Sequence, residues 1–225
     1  MKIISTFSGC GSMDLGFKKA GFTSVLATDI WDVACSSLAK NNLADEVLCD
    51  DIKNIDFKKF KNKIDGVIGG PPCQPYSQTR HYLTNKKKGF DDLVSGDTVP
   101  QFIRVIDEVA PKFFLFENVD GFSYKTHKLE LDYFLDKAKQ LGYQTTFKVI
   151  NTANYGIPQT RKRFICIGTL QGLPEFKFPE ETHSKSPAEF DGLKPWVTCR
   201  DSIGSFDDIS DEEKNNTPGG KHKEI

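Results

Sequence analysis

The sequence predicts an α/β domain built on a doubly wound, mostly parallel sheet. Short apolar runs rich in β-branched and aromatic residues recur along the chain. Segments with apolar residues three and four apart lie between them, and strands alternating with helices imply βαβ units with both sheet faces covered. A glycine-rich turn follows the first run and leads into a helical pattern, as in folds that bind ligands at strand ends.

The first strand is expected over Ile3–Phe7. In "FSGCGSMDLGF", Gly9 and Gly11 allow a tight turn and let a ligand approach the backbone, with free N–H groups of the helix start facing it. Val25–Thr28 is the second strand, and Asp29 stands at its end, where an acid commonly takes ribose hydroxyls. Strand, Gly-x-Gly, helix and strand-end acid together favour a nucleoside cofactor. "CDDI" follows the third strand. Asp50 and Asp51 could reach an adenine amino group, or could cap a helical turn.

Gly66–Ile68 is the fourth strand, and "GGPPCQPYS" follows it. Pro71 and Pro72 fix φ and lack amide protons, so Cys73 sits on a stiff backbone at the ligand-binding edge of the sheet. A nucleophile gains from such placement; the alternative is a buried, inert thiol. Tyr76–Asp97 is polar and without a clear period, which suits a lid over a substrate or a disordered surface insertion. Phe102, Ile103, Ile106, Val109 and Ala110 mark a helix stopped by Pro111.

Phe113–Phe116 is the apolar run of the fifth strand, next to the fourth; Glu117 terminates that run, and "ENV" at Glu117–Val119 ends the strand. A carboxyl there would be partly desolvated, its pKa raised toward that of a proton donor, or else paired with a Lys or Arg. Leu131, Phe134, Leu135, Ala138 and Leu141 form a helix ended by Gly142. Strands at Phe147–Ile150 and Phe164–Gly168 complete the pattern. In "QTRKRFICIG", period two puts Arg161 and Arg163 on one side of a strand, able to bind phosphate or a base edge, or simply solvated. From Gly172 prolines and charges dominate, and Asp207–Lys223 reads as a poorly ordered tail.

Composition bounds the function. The 225 residues suffice for one good-sized core. No apolar run approaches the ~20 residues of a membrane span, and the start does not read as a signal peptide. The six cysteines are scattered without a CxxC pair, so neither a metal site nor a disulfide framework is expected, and a reducing cytoplasm is. The net charge of −1 means that positive charge for nucleic acid must be local or come from a partner.

The set "FSGCGSMDLGF", "GGPPCQPYS", "ENVDGF" and "NTANYGIPQTRKRFICIG", in that order, resembles the motifs of DNA cytosine-5 methyltransferases, with a weaker "PWVTCRDSIG" near 195–204. The resemblance implies a Rossmann-like, S-adenosylmethionine-dependent methyltransferase fold and a place in restriction-modification. Cys73 matches the nucleophile and Glu117 the carboxyl acting on the cytosine ring. Arg163 matches the arginine near the base carbonyl, with Arg161 beside it. Phe7, Ser8, Gly9, Gly11, Asp29, Ile30, Asp51, Ile52 and Pro71 match the cofactor pocket, and Tyr76–Asp97 the mobile loop.

Three departures stand out. Ile30, followed by Trp31, occupies the position where the family often has an aromatic that stacks on adenine. Leu93–Val94 follow Asp92 where many relatives carry an arginine. The family's later target-recognition and closing segments are not found. Residues 1–171 are therefore expected to form the catalytic domain. Residues 172–225 are expected to be an extended, poorly ordered segment leading toward the recognition region. Double-stranded DNA and a second polypeptide that supplies recognition are the expected partners. A tRNA cytosine-5 methyltransferase is an alternative, although relatives of that kind usually have Asn-Ser where this chain has Gln159-Thr160. A non-catalytic binding partner of a DNA methyltransferase is another, against which Cys73, Glu117 and Arg163 weigh.

Overall fold

In the computed structural model, which describes residues 1–72 and 97–204, the apolar runs become one seven-stranded sheet. Its strands are β1 (Lys2–Thr6), β2 (Thr23–Asp29), β3 (Val47–Cys49), β4 (Gly66–Gly69), β5 (Phe113–Val119), β6 (Tyr143–Asn151) and β7 (Lys162–Leu170), in the order β3-β2-β1-β4-β5-β7-β6. The first five are parallel. The chain builds outward from β1 in one direction through β2 and β3, then returns to β1 and builds the other way through β4 and β5. This reversal between β1 and β4 creates a crevice at the strands' carboxyl ends, where open α/β sheets bind ligands. β7 then slots in antiparallel beside β5, with Glu117 opposite Ile165 and Val119 opposite Arg163.

The helices are α1 (Ser12–Lys19), α2 (Asp32–Lys40), α3 (Thr98–Val109) and α4 (Lys128–Gln140). α3 is strongly amphipathic and buries Val99, Phe102, Ile103, Val105, Ile106 and Val109. It stops where Ala110 turns left-handed (φ 50) ahead of Pro111, so the helix boundary expected from the proline is the observed one. Phe102, Phe114, Phe116, Phe122, Phe134 and Phe164 are fully buried and form the centre of the core. Most of their rings meet edge to face or tilted, as between Phe102 and Phe114 with centroids 6.2 Å apart, and Phe116 and Phe134 with centroids 4.3 Å apart. Each such burial stabilises the fold by about 1.5–3 kcal/mol. This aromatic layer lies under β5 and β7 and fixes the strands that carry Glu117 and Arg163.

β5 runs to Val119, so Glu117–Val119 end the strand as expected. One sequence expectation changes. β7 begins at Lys162, so Arg161 precedes the strand and does not share a face of it with Arg163. By its own contacts the chain forms two compact units. One unit comprises Met1–Ile150 with Lys162–Phe178, the other Asn151–Arg161 with the chain from Pro179 on.

The second unit has a physical basis at Asn154. Its Nδ2 donates to Glu181 (2.9 Å), its Oδ1 accepts from Trp196 Nε1 (3.0 Å) and its carbonyl accepts from Thr182 N (2.9 Å). Proline and charge content after Gly172 do not prevent structure there. β8 (His183–Ser184) pairs with β9 (Lys194–Pro195), and the "PWVTCRDSIG" stretch forms a short helix, α5 (Cys199–Ile203), closed by a reciprocal Thr198–Asp201 cap. The tail reading of Asp207–Lys223 lies outside the described residues.

Candidate active site

At the carboxyl ends of β1 and β2 the chain builds a cavity of about 470 Å³. Phe7 leaves β1 with φ 52, a left-handed conformation costly for a bulky side chain, and lines the cavity. Ser8 N donates to the Thr28 carbonyl (3.0 Å) and Gly9 N to Asp29 Oδ2 (2.8 Å), so the turn is laced to the end of β2. Asp29 Oδ1 also accepts from Trp31 N (3.1 Å). The amide of Gly9, expected to face a ligand, is thus engaged by Asp29. Each Asp29 oxygen keeps a further lone pair for a hydroxyl.

Of the residues singled out for a cofactor, Phe7, Gly9, Asp29, Ile30, Asp51 and Ile52 line this cavity; Ser8, Gly11 and Pro71 do not. Gly11, at φ 87, starts α1 and packs so tightly that a Cβ would lie 2.4 Å from Leu43 and 2.6 Å from Leu38. Its glycine serves packing on α2. Asp51 accepts from Lys53 N (3.0 Å) and caps the turn Ile52–Asn54, as its alternative reading had it, while still lining the cavity. Ile30 and Trp31 both line the cavity and are 61% and 70% exposed, so both offer apolar surface to a ligand.

Other lining residues carry no motif signal: Thr28, Lys53, Asp97, Thr98 and Gln101. Lys53 Nζ and Asp97 Oδ2 form an ion pair at 2.6 Å. Asp29, Asp50, Asp51 and Asp97 therefore face one lysine, an acidic wall with apolar patches.

Below the turn, Asp14 is fully buried and accepts from Ser5 Oγ and Ser24 Oγ, both at 2.8 Å. Burial raises its pKa against the pull of these hydrogen bonds. Serines at inward positions of β1 and β2 were the available signal for this carboxylate.

The second half of the site lies where β4 and β5 end. Gly70 follows β4, and a Cβ on it would stand 2.9 Å from Glu117 Oε2, so a side chain there would push the carboxylate aside. Glu117 Oε1 meets Arg163 Nε at 2.8 Å, both side chains partly buried. They are diagonal neighbours across the β5–β7 ladder, within reach for long side chains. Asn118, buried beside Glu117, donates from Nδ2 to the Pro71 carbonyl (3.3 Å), tying β5 to the diproline segment. Arg161 is exposed and belongs to the second unit, where its amide donates to Asn151 Oδ1 (3.2 Å). Cys73, and nearly all of Tyr76–Asp97, lie outside the described residues. Of the other thiols, burial pushes Cys166 up to about 12. Burial first, then the neighbouring Cys49, pushes Cys35 up to about 11, so neither supplies a thiolate near neutral pH.

Comparison with known proteins places the chain. Residues 1–224 match the family model for C-5 cytosine-specific DNA methylases. The Type II methyltransferase M.NgoPII of Neisseria gonorrhoeae is 38% identical over 211 residues, covering 93% of this chain but 58% of the relative. The Type II methyltransferase M.AquIA of Picosynechococcus is 35% identical over 226 residues, covering 91% of this chain and 88% of the relative. The chain thus spans little more than half of one curated relative and most of another. Among solved structures, a prophage-encoded Escherichia coli protein described as a DNA modification methyltransferase superposes with a TM-score of 0.68 at 26% identity, covering 90% of this chain and 54% of that one. A DNMT2 variant of Spodoptera frugiperda, at 24% identity and a TM-score of 0.62, shares the fold. On the match along its whole described length, the chain belongs to the C-5 cytosine-specific DNA methylase family.

Proposed function

We propose that this chain is the catalytic portion of a DNA cytosine-5 methyltransferase that uses S-adenosylmethionine. The observation that carries the reading is the Glu117–Arg163 pair, held against Gly70 at the end of β4, beside the acid-lined cavity.

The cavity suits the cofactor. Its carboxylates complement a ligand bearing hydroxyls, an exocyclic amine and positive charge, and Phe7, Ile30, Trp31 and Ile52 offer apolar surface to a purine. When bound there, S-adenosylmethionine supplies an electrophilic methyl group.

The chain's own residues prepare the base. Carbon 5 of cytosine is a poor nucleophile until a thiolate adds to carbon 6. Cys73, placed by the stiff diproline segment, makes that bond, while Glu117 donates to or protonates ring nitrogen 3, so the electron pair displaced from the 5,6 double bond makes carbon 5 enamine-like. Arg163 fixes the orientation of Glu117 and offers donors to the base carbonyl. After methylation, loss of the carbon 5 proton and expulsion of the Cys73 thiolate restore the ring. The cytosine must leave the duplex for this, as the substrates of DNA methyltransferases do.

The relatives' names as Type II methyltransferases support a role in restriction-modification in a bacterial cytoplasm. Among the described residues no helix is long and apolar enough to cross a membrane. Target recognition is assigned to segments not found within residues 1–225, whether in a second polypeptide or in later residues of the same chain.

The test is covalent trapping. Duplex DNA carrying 5-fluorocytosine should form a denaturation-resistant adduct with the protein, assayed with its recognition partner and cofactor. Cys73→Ser should form none, yet bind S-adenosylhomocysteine as wild type does. An adduct in the serine variant would overturn the assignment of Cys73, and label transferred to tRNA but not to duplex DNA would overturn the substrate.

A further inference from the structure

We propose that Arg104, reaching from α3, is a positioning residue that holds the turn carrying Asp51, Ile52 and Lys53 in the cavity wall. The inference rests on the cavity being the cofactor site. Arg104 does not itself line the cavity. Its guanidinium instead sits behind the wall and uses almost its whole fork. Nη2 donates to the Ile52 carbonyl at 2.6 Å and Nη1 to the Ile55 carbonyl at 3.2 Å. Nη1 also meets Glu108 Oε1 at 2.8 Å, and Nε donates to Gln101 Oε1 at 2.7 Å.

Glu108, one turn further along α3, completes the clamp, its Oε2 accepting from Phe57 N at 3.0 Å. Two side chains of one helix therefore grip the backbone from Ile52 to Phe57.

The turn is also held by the Asn54 amide on the Asp51 carbonyl (2.9 Å), by Asn54 Nδ2 on Asp50 (2.9 Å) and by the Lys53–Asp97 ion pair, so Arg104 acts chiefly at its Ile52 end. It is a single 3-10 turn, with Asp51 as its cap, and within it the Ile52 carbonyl accepts only from Ile55 N, at 3.3 Å. The shorter, charge-assisted bond from Arg104 is the stronger of the two. The contact with Gln101 has a second effect. A guanidinium can donate only to the amide oxygen, so Gln101, which lines the cavity, is left with its NH₂ group to offer a ligand. Arg104 thus sets the placement of one carboxylate and one cation on one side of the cavity and the polarity of an amide on the other. Lysine cannot reproduce this, because a point charge on a flexible stem does not serve four acceptors in a plane.

A merely structural clamp would lower the melting temperature without changing affinity in the folded protein. The experiment measures both. S-adenosylhomocysteine is titrated calorimetrically into the 225-residue chain as wild type, Arg104→Met, Arg104→Lys and Lys112→Met, well below each melting temperature. Lys112→Met is the control, since it breaks a surface ion pair with Asp65 on β5's opposite end. Arg104→Met should weaken binding about tenfold or more, a loss typical of supporting-shell changes, and Arg104→Lys by less. Lys112→Met should leave the Kd unchanged. If Arg104→Met does not fold, the lysine variant decides. Binding by wild type with a Kd unchanged in every folded Arg104 variant overturns the inference alone. Failure of the wild type to bind, both alone and with its recognition polypeptide, overturns the cavity assignment and this inference with it.

Discussion

Glu117 meets the Arg163 guanidinium at 2.8 Å, and its other oxygen lies where a Cβ on Gly70 would crowd it. Replacing it by glutamine keeps the shape and removes the exchangeable carboxyl proton. General acid catalysis typically supplies about 10²–10⁴-fold, so Glu117→Gln should cut the turnover of the complete enzyme by that order while DNA binding falls much less. Single-turnover methyl transfer at saturating DNA checks it; a variant that loses affinity and keeps its rate counts against the role. Asp14 gives a different signature. Its pKa lies above the usual 3.8 because it is buried, so the folded state holds the proton more tightly than the unfolded chain. Stability from this group is full below about 3.8 and declines as pH rises through the raised value, then levels off. Asp14→Asn lacks that titration. Its amide can accept from one serine hydroxyl and donate to the other. The stability difference between wild type and variant should therefore shift in the variant's favour as pH rises from about 4 toward neutral. Denaturant melts across that range test it, and a flat difference would refute the explanation.

At the scale of elements, the join between β4 and β5 is the sensitive place. Gly70→Ala puts a methyl 2.9 Å from Glu117 Oε2, so the carboxylate must shift to make room. Activity should fall by about tenfold or more from so small a displacement of a reacting group, with little change in melting temperature. Comparing the two measurements tells displacement from unfolding, and an equal loss in both would mean that Gly70 serves packing. The elements themselves are largely readable in the sequence. Apolar runs mark β1, β2, β4, β5 and β7 because their central residues are buried, on both faces in β1 and β4 and mainly on one in β5, and Pro111 and Gly142 mark helix ends through their own backbone limits. What stays hidden is long-range. No local signal says that β7 inserts antiparallel beside β5, which is why Arg163 meets Glu117 while Arg161, two residues earlier, is diverted into the second unit. Nor does any motif announce Asn118 reaching Pro71, or Arg104 reaching Ile52, since each joins residues far apart in the chain.

For the whole molecule, the charge balance matters most. A net charge of −1 gives little general attraction to phosphate, and the acidic cavity wall adds none. Residues 1–225 alone are therefore expected not to methylate one defined DNA site at the rate of a complete enzyme, and to gain both cofactor affinity and activity when a basic recognition polypeptide is added. Methyl transfer to a duplex library, with and without that polypeptide, checks the expectation; full site-specific activity of the chain alone would end it. The slot taken by β7 carries a further consequence, for synthesis on the ribosome. β5, with its Phe-Phe-Leu-Phe run, is completed well before Lys162 is added, yet β7 is the strand that covers its edge. At about 5–20 residues per second the nascent chain exposes that apolar edge on the order of seconds. During that interval it is open to pairing with another chain. Stalling or premature termination between β5 and β7 should thus yield aggregating fragments, and a chaperone that shields extended apolar segments would protect this protein most at that stage.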